Sequence, residues 1–225
     1  MGQMIEFKRP DGSACAGYLA SAGQGRPGVV VIQEWWGLNP QICGIADRFA
    51  AAGYNALAPD LFKGRVTQDA DEASHLMNGL DFPGATHQDI RGAVGHLRAM
   101  VGNSGGKVAS MGFCMGGALT IGAAVHVPDL AAAVCFYGIP PQEFADPARI
   151  RIPFQGHFAN KDGWITPAAV DALEAAMKAA GEKPEVFRYD ADHAFCNQMR
   201  PEVYDATCAK LAWERMLPFL AKHLS

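Results

Sequence analysis

The sequence predicts an α/β protein in which a mostly parallel sheet of about eight strands carries helices on both faces. Residues 1–225 are expected to form a single domain. Three observations carry this. Short β-rich apolar runs alternate with longer helical ones along the chain. The inner runs are continuously apolar, as strands covered on both faces are. One of them, Lys107–Met111, leads through a sharp glycine-flanked turn directly into a helix.

Met4–Arg9 and Ala14–Ala20 read as a hairpin around Pro10-Asp11-Gly12. Gly28–Gln33 is the first central strand. Pro40–Ala52 is a helix stopped by Gly53, and Tyr54–Ala58 is a strand closed by Pro59-Asp60. Ala70–Asn78 gives a short helix and Ala85–Val101 a long one. Beyond the turn, Ala118–Val125 is helical, and Ala131–Phe136 and Ile152–Gly156 are strands. Thr166-Pro167 opens a helix with a capping residue and a proline at its first position, and that helix ends at Gly181. Glu185–Tyr189 is the last strand and Glu202–His223 the closing helix.

Composition excludes several classes of function. With 49% hydrophobic and 19% charged residues and a net charge of −4, the chain has no basic footprint for nucleic acid or an anionic membrane. No apolar stretch is long enough for a membrane span, and residues 1–8 show no secretory pattern. The six cysteines have neither C-x-x-C nor zinc-ligand spacing, so they read as reduced thiols of a cytoplasmic protein with no metal site.

The turn Gly112-Phe113-Cys114-Met115-Gly116-Gly117 has the layout of a nucleophile elbow with a thiol at the reactive position. A thiol nucleophile needs a base, and the base needs an orienting group. His193, after the strand Glu185–Tyr189, fits the base. Asp162, after the preceding strand, fits the carboxylate, which gives the chain order nucleophile, acid, histidine with separations of 48 and 31 residues. That order is used by α/β-hydrolases. Asp190 and Asp192 are rivals by proximity, but residues so near a histidine seldom reach its outer nitrogen. Gly102-Asn103-Ser104-Gly105-Gly106 matches G-x-S-x-G only as a string. It lies between a helix and the next strand, at the wrong edge of the sheet.

At the carboxyl end of the first central strand stands Gln33-Glu34-Trp35-Trp36-Gly37-Leu38-Asn39. The Trp35 and Met115 amides are expected to form an oxyanion site, the second at a helix N-terminus. Trp36, Phe113, Tyr137, Phe195 and Asn197 are the expected substrate contacts.

Together, Gln33-Glu34…Gly37-Leu38-Asn39, Pro59-Asp60-Leu61, the cysteine elbow and His193-Ala194-Phe195 resemble the dienelactone hydrolase (carboxymethylenebutenolidase-like) family over nearly the whole chain. The resemblance implies a single-domain α/β-hydrolase with a Cys114–His193–Asp162 triad and no metal or organic cofactor. It implies that Glu34 meets the resting thiol and receives its proton. It further implies a monomer that opens lactones, typically a carboxylated dienelactone from aromatic-compound breakdown. Two departures concern the substrate. The family holds its substrate carboxylate with two arginines, but acids such as Asp71 occupy the first position here and Asn197 the second. Arg200 and Lys63 are the candidates to replace them. A carboxylesterase or thioesterase favouring neutral apolar acyl groups, and a non-catalytic binding or thiol-sensing protein, are the alternative readings.

Overall fold

The computed structural model describes residues 1–101 and 106–225. The string Gly102–Gly105 of the rejected serine pattern therefore lies outside the described residues. Eight strands form one sheet: β1 (Gln3–Lys8), β2 (Ala14–Ala20), β3 (Gly28–Ile32), β4 (Asn55–Pro59), β5 (Val108–Phe113), β6 (Ala132–Phe136), β7 (Phe154–Ala159) and β8 (Glu185–Tyr189). Their order is β1-β2-β4-β3-β5-β6-β7-β8. β2 runs antiparallel to both β1 and β4, and all other ladders are parallel, so the sheet is mixed.

The helices are α1 (Pro40–Ala51), α2 (Ala70–Asn78), α3 (Phe82–Gly84), α4 (Arg91–Val101), α5 (Met115–His126), α6 (Pro167–Ala179) and α7 (Ala206–Leu224). Their starts follow side-chain caps: Asn39 accepts from the Ile42 amide and Thr166 from the Ala169 amide, each followed by proline. The closing helix begins at Ala206 rather than Glu202 because Asp205 caps it through the Cys208 amide. The expected helix over 85–101 is interrupted: α3 passes into a π-helical turn, Ala85–Ile90, before α4.

The apolar runs are continuous because both faces of the sheet are covered. In β3, Val29 and Val31 face a core shared with Phe49 of α1 and Met216 of α7. Val30 and Ile32 face the opposite core, with Leu97 of α4 and Leu119 of α5. A third cluster joins α5, α6 and β7 through Ile121, Leu173 and Phe154.

This topology also places the site. Connections leave β3 toward β4 on one side, while β5 lies on the other, so a crevice opens where the order reverses. Ile32 pairs with Gly112 and Phe113 with Phe136. The residues just beyond those strand ends, Glu34, Cys114 and Tyr137, therefore emerge side by side.

Candidate active site

One residue, Cys114, separates β5 from α5. Its φ of 54° and ψ of −117° are unfavourable for a residue with a Cβ. The strain is held in place by the Cys114 amide donating to the Phe136 carbonyl (3.0 Å) and the Ala118 amide donating to the Cys114 carbonyl (3.1 Å). Gly116 allows the turn to rest on the end of β3. A Cβ there would lie 2.4 Å from the Ile32 carbonyl oxygen and 2.5 Å from that of Gln33. The tight turn thus fixes the thiol against the segment that carries Glu34.

His193 Nδ1 lies 2.6 Å from Asp162 Oδ2. The other carboxylate oxygen accepts the Trp164 and Ile165 amides at 2.8 and 2.9 Å, so Asp162 is buried with both oxygens satisfied. Asp190 instead pairs with Lys161 at the surface, and Asp192 is exposed. With Nδ1 given to Asp162, the other ring nitrogen is left for Cys114. Burial opposes charge on the imidazole, but hydrogen bonds to Asp162 and Cys114 and their negative charges outweigh it and raise His193 to about 10.

Glu34 is buried beside this pair. Tyr137 Oη donates to its Oε1 (3.4 Å) and Asn197 Nδ2 donates to its Oε2. Burial raises the carboxyl to about 7, against the opposing pull of the His193 charge, these two donors and Arg200. The preceding Gln33 is held through its Oε1 by the Leu61 amide (3.2 Å). Gly37 closes the turn by donating to the Glu34 carbonyl (3.3 Å). Its φ of 92°, and an Arg65 carbonyl oxygen 2.3 Å from where a Cβ would sit, require glycine. Met115 is the first residue of α5, so its amide has no acceptor within the helix. The Trp35 amide likewise has no backbone acceptor among the described residues.

These groups form the floor of a cavity of about 550 Å³. Of the expected substrate contacts, Trp36 and Tyr137 line it, as does Trp35. Three other expected contacts do not. Phe113 is a β5 residue whose side chain packs into the core on Phe136 (ring centroids 4.8 Å apart), and Phe195 is fully buried between Tyr137 and Tyr189. Asn197 is buried and spends its amide on Glu34. The walls that sequence reasoning missed are Met77, Phe82, Ile139, Trp164, Ile165 and Val203. Of the two replacement cations, Arg200 lines the cavity and Lys63 does not. Asp71 is exposed on α2 outside it. Among the described residues, no group of three or more His, Cys, Asp or Glu side chains is placed to hold a metal ion.

The family model for the dienelactone hydrolase family matches residues 15–224. The chain belongs to the dienelactone hydrolase family. As a member it is a hydrolase with the α/β-hydrolase fold. It is 35% identical to "Protein usf" of Aquifex pyrophilus, with both chains covered in full. It is 31% identical to the "Putative carboxymethylenebutenolidase" of Aquifex aeolicus, again over both whole chains. Among solved structures it resembles the dienelactone hydrolase-like promiscuous phosphotriesterase P91 from metagenomic libraries. That match has a TM-score of 0.83 and 27% identity, covering 100% of this chain and 99% of the other. Among the described residues of this dienelactone hydrolase family member, no helix is long and apolar enough to cross a membrane.

Proposed function

We propose that the chain hydrolyses carboxylic esters or lactones through a Cys114 acyl-enzyme. The observation that supports this best is that Cys114 and His193 line the floor of one apolar cavity, with Asp162 buried behind His193 and 2.6 Å from its Nδ1. His193, held above its ordinary range, is well placed to take the proton that Cys114 gives up on becoming the nucleophilic thiolate. The thiol proton passes to His193, with Glu34 as the second acceptor on the floor. At about 7, Glu34 exchanges a proton readily near neutral pH.

Attack forms the C–S bond and drives the carbonyl electrons onto oxygen, where the Trp35 and Met115 amides receive the charge. Collapse breaks the C–O bond, and imidazolium protonates the departing alkoxide. Neutral His193 then takes a proton from water, whose oxygen attacks the thioester. The C–S bond breaks to release the acid and return the thiolate.

Substituting Cys114 with Ala should abolish turnover of 4-nitrophenyl acetate while circular dichroism and melting temperature hold. Wild-type enzyme quenched during turnover should carry one acyl group on Cys114 by intact mass. Full activity in the alanine variant would refute the assignment.

A further inference from the structure

The cavity floor is polar, but its walls offer a substrate almost only apolar surface: Trp35, Trp36, Phe82, Met77, Ile139 and Trp164. Trp164 is the most informative of these. It is 73% exposed, whereas Trp36 is 7% exposed. Its backbone is not free, because the Trp164 amide donates to Asp162 Oδ1 at 2.8 Å. Its ring meets the edge of Trp35 at a centroid distance of 5.9 Å and stands 6.5 Å from the His193 ring. The carboxylate that orients His193 thus also holds a large indole face in water at the mouth of the cavity. An apolar group entering the cavity removes that surface from water, and an aromatic one adds ring–ring attraction.

The charges lining the cavity point the same way. The guanidinium on its wall, Arg200, already pairs with Glu202 and lies over Trp36, 5.1 Å from the ring centroid. The Glu34 carboxyl also lines the cavity. Just outside the cavity, the rim residue Ala70 begins α2, whose exposed first turn carries Asp71 and Glu72. A substrate carboxylate entering here would lose its water beside the Glu34 carboxyl, with the wall guanidinium already paired to Glu202 and the His193 ring already held by Asp162.

We propose that this site takes uncharged esters whose larger substituent is apolar and preferentially aromatic, packed on Trp164 and Trp35, and that it rejects esters bearing a carboxylate. The proposal rests on the Cys114-dependent hydrolysis proposed above. Two substrate pairs test it. 4-Nitrophenyl butyrate and mono-4-nitrophenyl succinate differ by a terminal methyl against a carboxylate. 4-Nitrophenyl phenylacetate and acetate differ by a phenyl ring.

After subtraction of uncatalysed rates, kcat/KM for the butyrate should exceed that for the succinate by about tenfold or more. Trp164→Ala should lower the phenylacetate-to-acetate ratio of kcat/KM by about tenfold, chiefly through KM. Equal or faster hydrolysis of the succinate overturns the charge selection, and an unchanged ratio in Trp164→Ala overturns the role of the indole. If no ester shows turnover that depends on Cys114, the hydrolytic reading itself fails, and this proposal with it.

Discussion

Replacing Glu34 by Gln should remove a stability penalty that grows as pH rises. The carboxyl titrates at about 7 in the folded chain against an ordinary value of 4.5, because burial disfavours its charge. The native state therefore keeps its proton where the unfolded state has lost it. Below pH 4.5 both states are protonated and Glu34 costs nothing. Between 4.5 and 7 stability falls, and above 7 the full penalty is present. At about 1.4 kcal/mol per pH unit, this interval amounts to ~3 kcal/mol. Glutamine fills the same space. Its carbonyl oxygen accepts from Asn197 Nδ2 and its amide donates to Tyr137 Oη, whose own hydrogen loses the Glu34 acceptor; that cost is the same at every pH, so the pH dependence carries the prediction. Urea unfolding of both proteins from pH 4.5 to 8.5 measures the difference directly, and contributions common to both cancel. The stability of Glu34→Gln relative to wild type should rise by ~3 kcal/mol over that range, with most of the change between pH 5 and 7. A difference independent of pH would show that Glu34 ionises as freely in the folded chain as in the unfolded one.

Two further substitutions probe buried partners. Asp162→Asn should lower kcat by ~10³-fold or more, since the amide no longer fixes and charges the His193 ring. Iodoacetamide labelling of Cys114 near neutral pH should slow in parallel, and an unchanged labelling rate would detach Asp162 from the thiol. His157 is held neutral in the core, with Nδ1 2.7 Å from Tyr189 Oη and Nε2 2.8 Å from Gln155 Oε1, and burial lowers it to about 3. Its stabilising contribution is therefore intact above pH 6.5 and is lost as pH falls toward 3. His157→Gln should show a shallower acid-unfolding profile than wild type, measured by fluorescence between pH 7 and 3.

All eight strands can be read from the sequence because the inner ones must be apolar on both faces, and such runs stand out from the amphipathic helices around them. Element boundaries are less legible where a side chain decides them. Asp205 moves the start of α7 inward, and nothing in residues 82–101 announces the π-helical turn. The relation among Cys114, His193 and Asp162 is legible because each stands just past a strand, where topology alone fixes its neighbours. Phe113 shows the limit of that reasoning. It adjoins the thiol in sequence, but it is the last residue of a strand, and its ring is committed to the core behind the site.

The least legible part is the segment after His193, where the spacing that matters is three. Backbone amides of Asn197, Arg200 and Val203 donate to the carbonyls of Ala194, Asn197 and Arg200 at 2.8, 3.1 and 3.0 Å. Successive turns of this kind bring residues three apart to one side of the segment. Ala194, Arg200 and Val203 reach the cavity wall, and Asn197 reaches Glu34, 163 residues earlier in the chain. The side chains between them point elsewhere, as the buried Phe195 and the exposed Gln198 show. Proximity to His193 in sequence therefore does not separate Phe195, which is buried in the core, from Asn197, which meets Glu34. The turns also tie the base at His193 to the groups that hold Glu34 and the cavity wall. Substitutions at 194, 197, 200 and 203 should therefore act non-additively on turnover, whereas those at exposed Gln198 should not.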